Sequence, residues 1–297
     1  MAQIGVVDRQ TTMRAIPHSG SKVTTGSRAI QIVVTPGSGN GRALGTALQL
    51  HEVLRGRGHR TNLEVFSDLN GLRRWAATDG ASFSLLICVG GDGTLDTAAL
   101  AAVGHSVPFL PVPCGFGNLF GRALKQPDRV DRVLELLEHG ELVHVDVGVR
   151  NGELFLCHES FGLLAQIQDR VEASARLPRP GWRRCLAYYQ GALRHLWDMP
   201  LTPLQVSVDS RVVERDAVIV IVANVETYGP WLSLTPGASP IDGLFDVFAM
   251  RRASKREIFA RLLKWQLRLP GRTRGPWFAA VGTFPSPARP GFGTSST

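Results

Sequence analysis

The first half of the chain alternates short apolar runs with segments in which apolar and polar positions are mixed. Three largely apolar runs predict strands that are buried on both faces of a sheet, at 29–34, 84–89 and 107–112. The segments after the first two runs carry apolar residues at spacings of three and four, the period of a helix with one buried face. Strands that alternate with helices are typical of a doubly wound parallel sheet. Prolines in the third run predict an edge strand or the end of a strand.

The pattern changes after residue 142, where strands follow one another more directly. Runs at 143–149 and 153–157 flank an Asn-Gly pair, which strongly favours a hairpin turn. Apolar runs at 204–208 and 217–222 predict further strands. The second half of the chain is therefore expected to form a β-rich domain.

An insertion at 164–199 separates these strands, and its pattern supports two interpretations. Its aromatic and apolar residues keep roughly helical spacing, and arginines lie among them. The first interpretation is an amphipathic helix that packs on the domain. The second is a basic, aromatic surface, including Trp182, Arg194 and Trp197, that contacts a membrane.

The two ends of the chain differ from the body. Residues 1–28 are polar and have no pattern, which predicts a flexible leader. In the tail at 270–297, ten of 28 residues are Gly or Pro and none is Asp or Glu, so this segment is expected to be disordered or foreign to the fold. The body then divides into an α/β domain at 29–142 and a β-rich domain at 143–269.

Length, charge and cysteine usage narrow the functional classes. A chain of 297 residues most naturally forms two domains, and its apolar runs are far shorter than a bilayer span. The net charge of +8 allows attraction to nucleotides, nucleic acid or anionic lipid headgroups. No nucleic-acid-binding motif is present, so nucleic acid is not expected as a partner. Four scattered cysteines and the lack of a secretion signal favour a cytoplasmic protein with reduced thiols.

A glycine-rich segment lies between the central strand and the helix that follows it. Residues 90–94 read Gly-Gly-Asp-Gly-Thr. Unpaired main-chain N–H groups and a helix N-terminus converge at such a turn, which predicts a phosphate site; the alternative is a tight turn without a ligand. Glycine turns at 36–41 and 113–121 also follow strands. Because parallel strands end at one edge of their sheet, we expect the three turns to face one crevice.

Two carboxylates lie in a turn-rich connection late in the chain. Asp242 and Asp246 are four residues apart among loop carbonyl groups. Oxygen ligands of this kind can hold a hard cation such as Mg²⁺. Ordinary acidic residues of a surface turn are the equally open alternative.

These motifs, taken in order, resemble the diacylglycerol kinase catalytic-domain family, the bacterial lipid kinases related to sphingosine kinases. The resemblance is carried by the motifs Pro36-Gly37-Ser38-Gly39, Gly90-Gly91-Asp92-Gly93-Thr94, Pro113-x-Gly115-x-x-Asn118, Ser160-Phe161-Gly162 and the stretch 235–247. It covers about residues 29–265. It implies an α/β fold in which an N-terminal doubly wound nucleotide domain is joined to a C-terminal β-sandwich-like domain.

The resemblance implies an ATP- and Mg²⁺-dependent lipid kinase that contacts the anionic cytoplasmic face of a membrane and phosphorylates a lipid alcohol. It assigns nucleotide contacts to Ser38, Gly39, Gly90, Gly91, Asp92, Gly93, Thr94, Gly115, Phe116 and Asn118. It assigns a structural Mg²⁺ site to the Asp242 carboxylate and the main-chain oxygens of Ser239 and Leu244. Asp92 would either hold Mg²⁺ on the phosphates or receive the hydroxyl proton.

Several positions depart from the family pattern. Thr35 replaces the usual Asn, Phe116 the usual Thr and Leu119 the common Asp. The family's late Asp-Gly-Glu, whose Glu is assigned as proton acceptor, has no counterpart, since no acid follows Glu257. Three explanations stay open: Asp92 alone serves, the reading frame changes in the tail, or the protein is a pseudokinase that binds nucleotide or lipid without turnover. Transfer to NAD or another soluble alcohol is disfavoured by the β-rich second half.

Overall fold

A computed structural model of the chain describes residues 2–4, 9–15, 28–78, 82–173, 182–208, 211–229, 232–266 and 282–283. The strands of the first 155 residues are β1 (Ala2–Ile4), β2 (Arg9–Ala15), β3 (Ala29–Val34), β4 (Arg60–Val65), β5 (Leu85–Gly90), β6 (Phe109–Pro113), β7 (Val143–Arg150) and β8 (Glu153–Phe155). All except β1 form a seven-stranded sheet in the order β4-β3-β5-β6-β2-β7-β8. The strands β4, β3, β5 and β6 are parallel, which confirms the predicted parallel sheet.

Helices cover both faces of this first sheet. They are α1 (Arg42–Gly56), α2 (Leu69–Ala76), α3 (Asp92–Gly104), α4 (Leu119–Ala123) and α5 (Val130–His139), and a single 3₁₀ turn at Ser38–Gly41 precedes α1. On one face, Leu50 of α1 and Val133 of α5 share a core with Ile87. On the other face, Leu72 of α2 and Leu95 of α3 share a second core. Burial on both sides explains why β3, β5 and β6 are almost continuously apolar.

Strand β6 lies inside the sheet, so the edge-strand alternative is wrong. The other alternative, the end of a strand, holds for Pro113, which ends β6, and Pro108 directly precedes the strand. It pairs with β5 along its length and with β2 at one position, where Phe109 lies opposite Ala15. The N–H of Cys114 donates to β5. The main-chain nitrogens of alternate residues in a strand point to the same neighbouring strand. Since the nitrogen of Cys114 points to β5, those of Pro111 and Pro113 point away from it. They lie beyond the single position at which β2 pairs, so two residues without an N–H are tolerated there.

A second sheet is built from the rest of the chain. Its strands and their neighbours are β9 (His158–Gly162), β10 (Leu204–Val208), β11 (Arg211–Ala223), β12 (Thr227–Tyr228), β13 (Leu232–Ser233), β14 (Asp246–Arg251) and β15 (Gly282–Thr283). The order is β1-β10-β11-β14-β15, β9 also pairs with β11, and β12 and β13 form a small separate ribbon. Helices α6 (Leu163–Ala173), α7 (Trp182–Asp198) and α8 (Lys255–Gln266) complete this half.

The second sheet has a core on each face. On one face, Ile167 of α6, Leu196 of α7 and Ile258 of α8 pack against β11 and β14. On the other face, Phe155 of β8 packs with Val220 and other residues of β10, β11 and β14. The hairpin of the first sheet therefore covers the second sheet, and the two halves share apolar contacts.

Residues 2–4 and 9–15 are strands of the two sheets, which corrects the prediction of a flexible leader at 1–28 for these residues; the rest of that prediction, at 1, 5–8 and 16–27, lies outside the described residues. Ala2–Ile4 pairs in parallel with β10, and Arg9–Ala15 pairs antiparallel with β7 along seven residues. The side chains of Met13 and Ala15 are buried. The short alternation in this segment gave no clear strand signal, and pairing with distant strands decides its structure.

The predicted hairpin and the predicted disordered tail are each confirmed only in part or not tested. The predicted hairpin exists, with Asn151 and Gly152 at positive φ, but its strands pair within the first sheet and not in the β-rich half. The reason is that β2 lies between β6 and β7 and carries the hairpin into that sheet. Of the tail at 270–297, only Gly282 and Thr283 are described, and they pair with β14. The remainder of that prediction lies outside the described residues.

The described part of the insertion at 164–199 is helical except for Met199, and it comprises most of α6 and all of α7. Leu163 and Ile167 of α6 and Leu196 of α7 are buried, which agrees with a helix packed on the domain. The side chain of Trp182 lies outside the described part of the chain. Among the described helices, none is both long enough and apolar enough to cross a membrane.

Candidate functional site

The three glycine turns meet at the carboxyl edge of the parallel sheet. Gly90 ends β5, and Gly91 precedes α3 with an extended main chain. A Cβ atom placed on Gly115, after β6, would lie 2.5 Å from the Cα atom of Gly91. A Cβ atom placed on Gly39, after β3, would lie 2.0 Å from the carbonyl oxygen of Cys114. Only glycine permits these approaches, so bare main chain lets the turns lie together.

Hydroxyl groups connect the first turn to the central one. The Oγ1 atoms of Thr35 and Thr94 lie 2.7 Å apart, and Thr35 Oγ1 is 3.0 Å from Ser38 Oγ. Thr35 and Thr94 are both buried. A Cβ atom on Gly90 would collide with the Thr94 side chain at 2.6 Å. The buried Thr94 side chain therefore links the first turn to the central one. Thr35, at the position of the family's usual Asn, hydrogen-bonds to Thr94, which the sequence did not indicate.

The third turn is held by its own asparagine. Asn118 has a left-handed main chain, with φ of 49°, and directly precedes α4. Its Oδ1 accepts a hydrogen bond from Gly115 N–H at 2.7 Å, and its Nδ2 donates to Gly115 O at 3.1 Å. Asn118 therefore shapes the turn with both ends of its amide. Phe116, between these residues, exposes 42 % of its surface at the rim.

The Asp92 carboxylate lies beneath this turn rather than on the outer surface of the glycine loop. Its Oδ1 accepts from Phe120 N–H at 3.3 Å, and the thiol of Cys157 lies 3.8 Å from the same oxygen. A Cβ atom on Gly117 would lie 3.1 Å from Oδ2, so that glycine leaves room for the carboxylate. Burial raises the pKa of Asp92, and hydrogen bonds from main-chain N–H groups at 118–120 partly oppose that rise.

A second carboxylate, Asp96, lies one helical turn further along α3. Its Oδ1 accepts from Leu156 N–H at 2.9 Å. Burial raises its pKa to about 7, and the neighbouring charges of Asp92 and Glu159 add to the rise. None of the sequence motifs indicated a role for this residue. The available signal was its position four residues after Asp92, which places both carboxylates on one side of a helix.

The carboxylates lie where the chain passes from the first sheet to the second. Leu156 and Cys157, which contact Asp96 and Asp92, join β8 to β9. The buried Asn224, at the end of β11, donates through its main-chain N–H to Cys157 O at 2.8 Å. Its Nδ2 donates to Leu156 O at 2.8 Å. The junction of the two halves is therefore hydrogen-bonded directly beside Asp92 and Asp96.

The connection at 239–246 docks on β7. The buried Asp146 donates through its main-chain N–H to Pro240 O and accepts from Gly243 N–H at 2.7 Å. Asp242 is exposed, and its Oδ1 accepts from Leu244 N–H at 3.0 Å. Burial raises the pKa of the partly enclosed Asp246, and the negative charge of Asp242 adds to the rise. The two carboxylates are therefore close enough for the charge of one to act on the other.

Side chains alone do not build a metal site here. Within the described residues, no group of three or more His, Cys, Asp or Glu side chains is arranged to hold a metal ion. A cation at this connection would therefore need main-chain oxygens as well as Asp242 and Asp246. The oxygen-only donor set is compatible with Mg²⁺ and gives no reason to expect a softer metal.

Two family profiles match consecutive parts of the chain. Residues 29–149 match the diacylglycerol kinase catalytic domain. Residues 159–267 match the family described as YegS C-terminal NAD kinase beta sandwich-like domain. The boundary between the matches falls within the segment that joins β7 to β9. The expected combination of an α/β domain and a β-sandwich-like domain is confirmed.

Individual relatives agree with these matches. A diacylglycerol kinase of Bacillus subtilis strain 168 is 26 % identical over 189 residues, which cover 63 % of this chain and 61 % of that protein. A diacylglycerol kinase of Staphylococcus carnosus strain TM300 is 26 % identical over 180 residues, 59 % of this chain and 57 % of that protein. The chain thus matches about three fifths of the length of these relatives.

A solved structure shares the fold. The crystal structure of a diacylglycerol kinase from Bacillus anthracis strain Sterne superposes with a TM-score of 0.57 at 23 % identity. The superposition covers 81 % of this chain and 79 % of that one. At this identity the similarity concerns the fold, and it extends over both halves of the molecule.

Proposed function

This chain belongs to the diacylglycerol kinase family, and from that premise we propose that it is a lipid kinase that transfers the γ-phosphoryl group of ATP to a lipid hydroxyl group. The observation that carries the proposal is the meeting of three glycine turns at one edge of the parallel sheet, next to the Asp92 carboxylate. The acceptor is a lipid alcohol of the diacylglycerol or sphingoid type, and the donor site is the crevice formed by the turns.

The turns offer main-chain groups to the triphosphate. The first N–H groups of α3 have no partner within the helix, and the helix dipole favours negative charge at that end. The turn at 90–94 therefore contacts the phosphates, with Ser38 and Gly39 on one side and Gly115 and Phe116 on the other. The side chains of Thr94 and Asn118 do not contact the phosphates in this proposal, but their hydrogen bonds hold the turns in place.

Asp92 is the proposed acceptor of the hydroxyl proton. It is the carboxylate at the junction of the glycine turn, α4 and the segment that leads into the second half. One oxygen is oriented by Phe120 N–H, which leaves the other next to Gly117 for a substrate hydroxyl. Its raised pKa makes it a better base near neutral pH than an exposed carboxylate.

Mg²⁺, when bound with ATP, would neutralise charge on the phosphate oxygens. A structural Mg²⁺ is proposed for the connection at 239–246, held by Asp242 and Asp246 with main-chain oxygens of Ser239 and Leu244. Burial raises the pKa of Asp246 most, and the charge of Asp242 raises it further; a bound cation would offset this second effect.

A lipid acceptor requires access to a membrane, and we propose peripheral contact with an anionic cytoplasmic surface. Leu193 and Trp197 of α7 and Leu263 of α8 are large apolar side chains that each expose more than 40 % of their surface. Lys255 Nζ donates to Trp197 O, which places a cation beside the exposed end of α7. Apolar side chains next to cations suit an anionic interface.

The test gives purified full-length protein labelled ATP, Mg²⁺ and a panel of lipid alcohols in mixed micelles. We expect phosphorylation of at least one lipid, and a loss of at least about 100-fold in kcat for Asp92→Asn without loss of ATP binding. Asp131→Asn is the matched control, because Asp131 is exposed, pairs with Arg129 and belongs to none of the three turns. An active Asp92→Asn enzyme would contradict the assigned base.

The second candidate function is a pseudokinase that binds nucleotide or lipid without turnover. It is favoured by the lack of any Asp or Glu after Glu257, where the family's late acid is expected. ATP binding by calorimetry without product from any lipid would support it. If the protein neither binds ATP nor forms product, both candidates are rejected.

A further inference from the structure

A cavity lies at the edge of the first sheet opposite the glycine turns. It has a volume of about 580 Å³ and is bordered by the amino ends of β3 and β4, the end of α1 and the segment before β5. This volume falls within the range of small-molecule sites. Strands of six residues separate it from the glycine turns, a distance of about 20 Å. It is therefore distinct from the proposed ATP crevice.

The cavity is lined by cations and by hydrogen-bonding side chains. Arg55, His59 and Arg60 contribute positive or protonatable groups, and Gln31 and Asn62 contribute amides. No Asp or Glu is among its described lining residues. Within the described part of the chain, neither the Arg55 nor the Arg60 side chain forms an ion pair. Two arginines without acidic partners at one concave site leave positive charge that an anion can neutralise.

Further basic residues surround the cavity. The sequence 55–60 reads Arg-Gly-Arg-Gly-His-Arg, in which Arg57 pairs with Glu138. Burial lowers the pKa of His59, and the charges of Arg28 and Arg57 lower it further. His59 Nδ1 accepts from Arg28 N–H at 3.3 Å. The floor is polar in an otherwise apolar strand: Gln31 is 5 % exposed, and its Oε1 accepts from Asn62 Nδ2 at 3.0 Å. Gln31 is the buried member of this amide pair, whereas Asn62 is exposed and its Nδ2 also donates to Glu64 Oε1 at 3.2 Å. The pair provides oriented dipoles beneath the cations.

We propose that this cavity binds a phosphate-bearing molecule at the amino edge of the sheet, separately from the ATP site. Arginine is suited to phosphate because its planar guanidinium donates two parallel hydrogen bonds. Phe83 forms an apolar side of the cavity, which favours an organic phosphate over a free inorganic ion. The phosphate group can belong to a soluble metabolite or to a lipid headgroup.

The experiment uses His59 as a local reporter in the full-length protein. Its imidazole resonance, assigned with His59→Gln, is followed by NMR during titration with inorganic pyrophosphate at constant ionic strength. An anion beside the imidazole stabilises its protonated form, so we expect a saturable shift and a rise of about half a pH unit or more in the His59 pKa. Pyrophosphate bound at the glycine turns, about 20 Å away, would not produce this response.

Variants identify the responsible side chains. Arg55→Gln and Arg60→Gln should each weaken the apparent pyrophosphate affinity at His59 by roughly tenfold, because each removes a charge-assisted contact. Arg252→Gln is the matched control: it removes an exposed arginine between β14 and α8, remote from the cavity, and should leave the affinity unchanged. Circular dichroism of each variant verifies that the fold is retained.

A second arm distinguishes the source of the phosphate. Vesicles of phosphatidylglycerol and of phosphatidylcholine are compared by sedimentation, with and without pyrophosphate. Binding to the anionic vesicles that pyrophosphate competes away, and that Arg55→Gln weakens, identifies a lipid headgroup. A His59 response to pyrophosphate without such vesicle binding identifies a soluble phosphate. The proposal is overturned if His59 does not respond, or if the two arginine variants titrate as Arg252→Gln does. None of these readouts depends on kinase activity.

Discussion

At the scale of single residues, the site depends on carboxylates whose surroundings oppose their ionisation. Asp92 and Asp96 lie one turn apart on α3, and both contact the segment 156–157. Like charges at this spacing repel, and burial increases the cost of ionising both. Asp92 accepts hydrogen bonds from several main-chain N–H groups, whereas Asp96 accepts one, from Leu156. Burial raises the pKa of Asp96 to about 7.

Substitution of Asp96 should change the pH dependence of stability. Its pKa in the folded state lies above its ordinary value, so the folded protein binds a proton that the unfolded chain has released. Stability therefore falls as pH rises from about 4 to about 7. Asp96→Asn keeps an acceptor for Leu156 N–H without the charge, and it should be more stable than the parent at pH 8 by up to about 4 kcal/mol. At pH 4 the difference should vanish.

Urea denaturation at pH 4, 6 and 8 measures this effect. Asp131→Asn serves as the control, since Asp131 is exposed and its pKa is lowered by Arg129, so no gain at high pH is expected. A constant difference between Asp96→Asn and the parent across this pH range would show that Asp96 does not titrate as described.

A residue-scale prediction also concerns Asp242 and Mg²⁺. If the cation occupies the connection at 239–246, MgCl₂ should raise the melting temperature of the parent by a few degrees, because a ligand that binds only the folded state stabilises it. Asp242→Asn should lose most of this response. Asp216→Asn, an exposed acid beyond the connection, should retain it. Thermal denaturation measures these responses. If all three proteins respond equally, Mg²⁺ does not bind at this connection.

At the scale of elements, the contact between the β5–α3 turn and the β6–α4 turn is main chain against main chain. Gly91 and Gly115 approach so closely that neither can carry a side chain without moving the other. Flexible side chains could adapt to an added methyl group, but two peptide backbones fixed by the same sheet cannot. The distance between β5 and β6 therefore sets the distance between the two turns that line the crevice.

Gly115→Ala should weaken ATP binding by at least tenfold, because the methyl group forces the two turns apart. Gly104→Ala is the matched control: Gly104 ends α3, and an added Cβ meets nothing within 4 Å. That variant should bind ATP as the parent does, with equal or slightly greater stability. Isothermal calorimetry of the three proteins decides the question, and unaltered affinity in Gly115→Ala would mean that the turns do not form the ATP site.

At the scale of the whole molecule, the N-terminal residues connect the two sheets. The strand β2 fills the position between β6 and β7, and β1 pairs with β10 of the second sheet. The hairpin β7–β8 then packs Phe155 against the second sheet. The N-terminal strands and the β7–β8 hairpin therefore both join the first sheet to the second.

This architecture predicts a measurable contribution from Met13, which is 2 % exposed. Met13→Ala should lower the free energy of unfolding by about 2–4 kcal/mol, because a buried side chain is removed from a packed core. Met13→Leu, which conserves volume, should cost less than about 1.5 kcal/mol. Urea denaturation distinguishes these values. If both variants match the parent, residues 1–28 behave as the flexible leader that the sequence suggested.

The sequence by itself determined the parallel sheet, its alternation with helices and the edge at which the glycine turns meet. Periodicity within ten to fifteen residues specifies a strand or a helix, and parallel strands necessarily end at one edge. It also contained the family's motifs at 36–39, 90–94 and 113–118 in order, within the residues that the diacylglycerol kinase catalytic-domain profile then matched.

Only the tertiary structure decided the strand order, the inward roles of Thr94 and Asn118, the environment of Asp96 and the cavity lined by Arg55 and Arg60. These features depend on residues that are distant in the chain: Asp96 contacts Leu156, and Arg9–Ala15 pairs with Val143–Arg150. Such contacts leave no period in the sequence, because each is one pairing among many that local pattern permits. Burial, and with it the charge state of a carboxylate, is known only when those pairings are made.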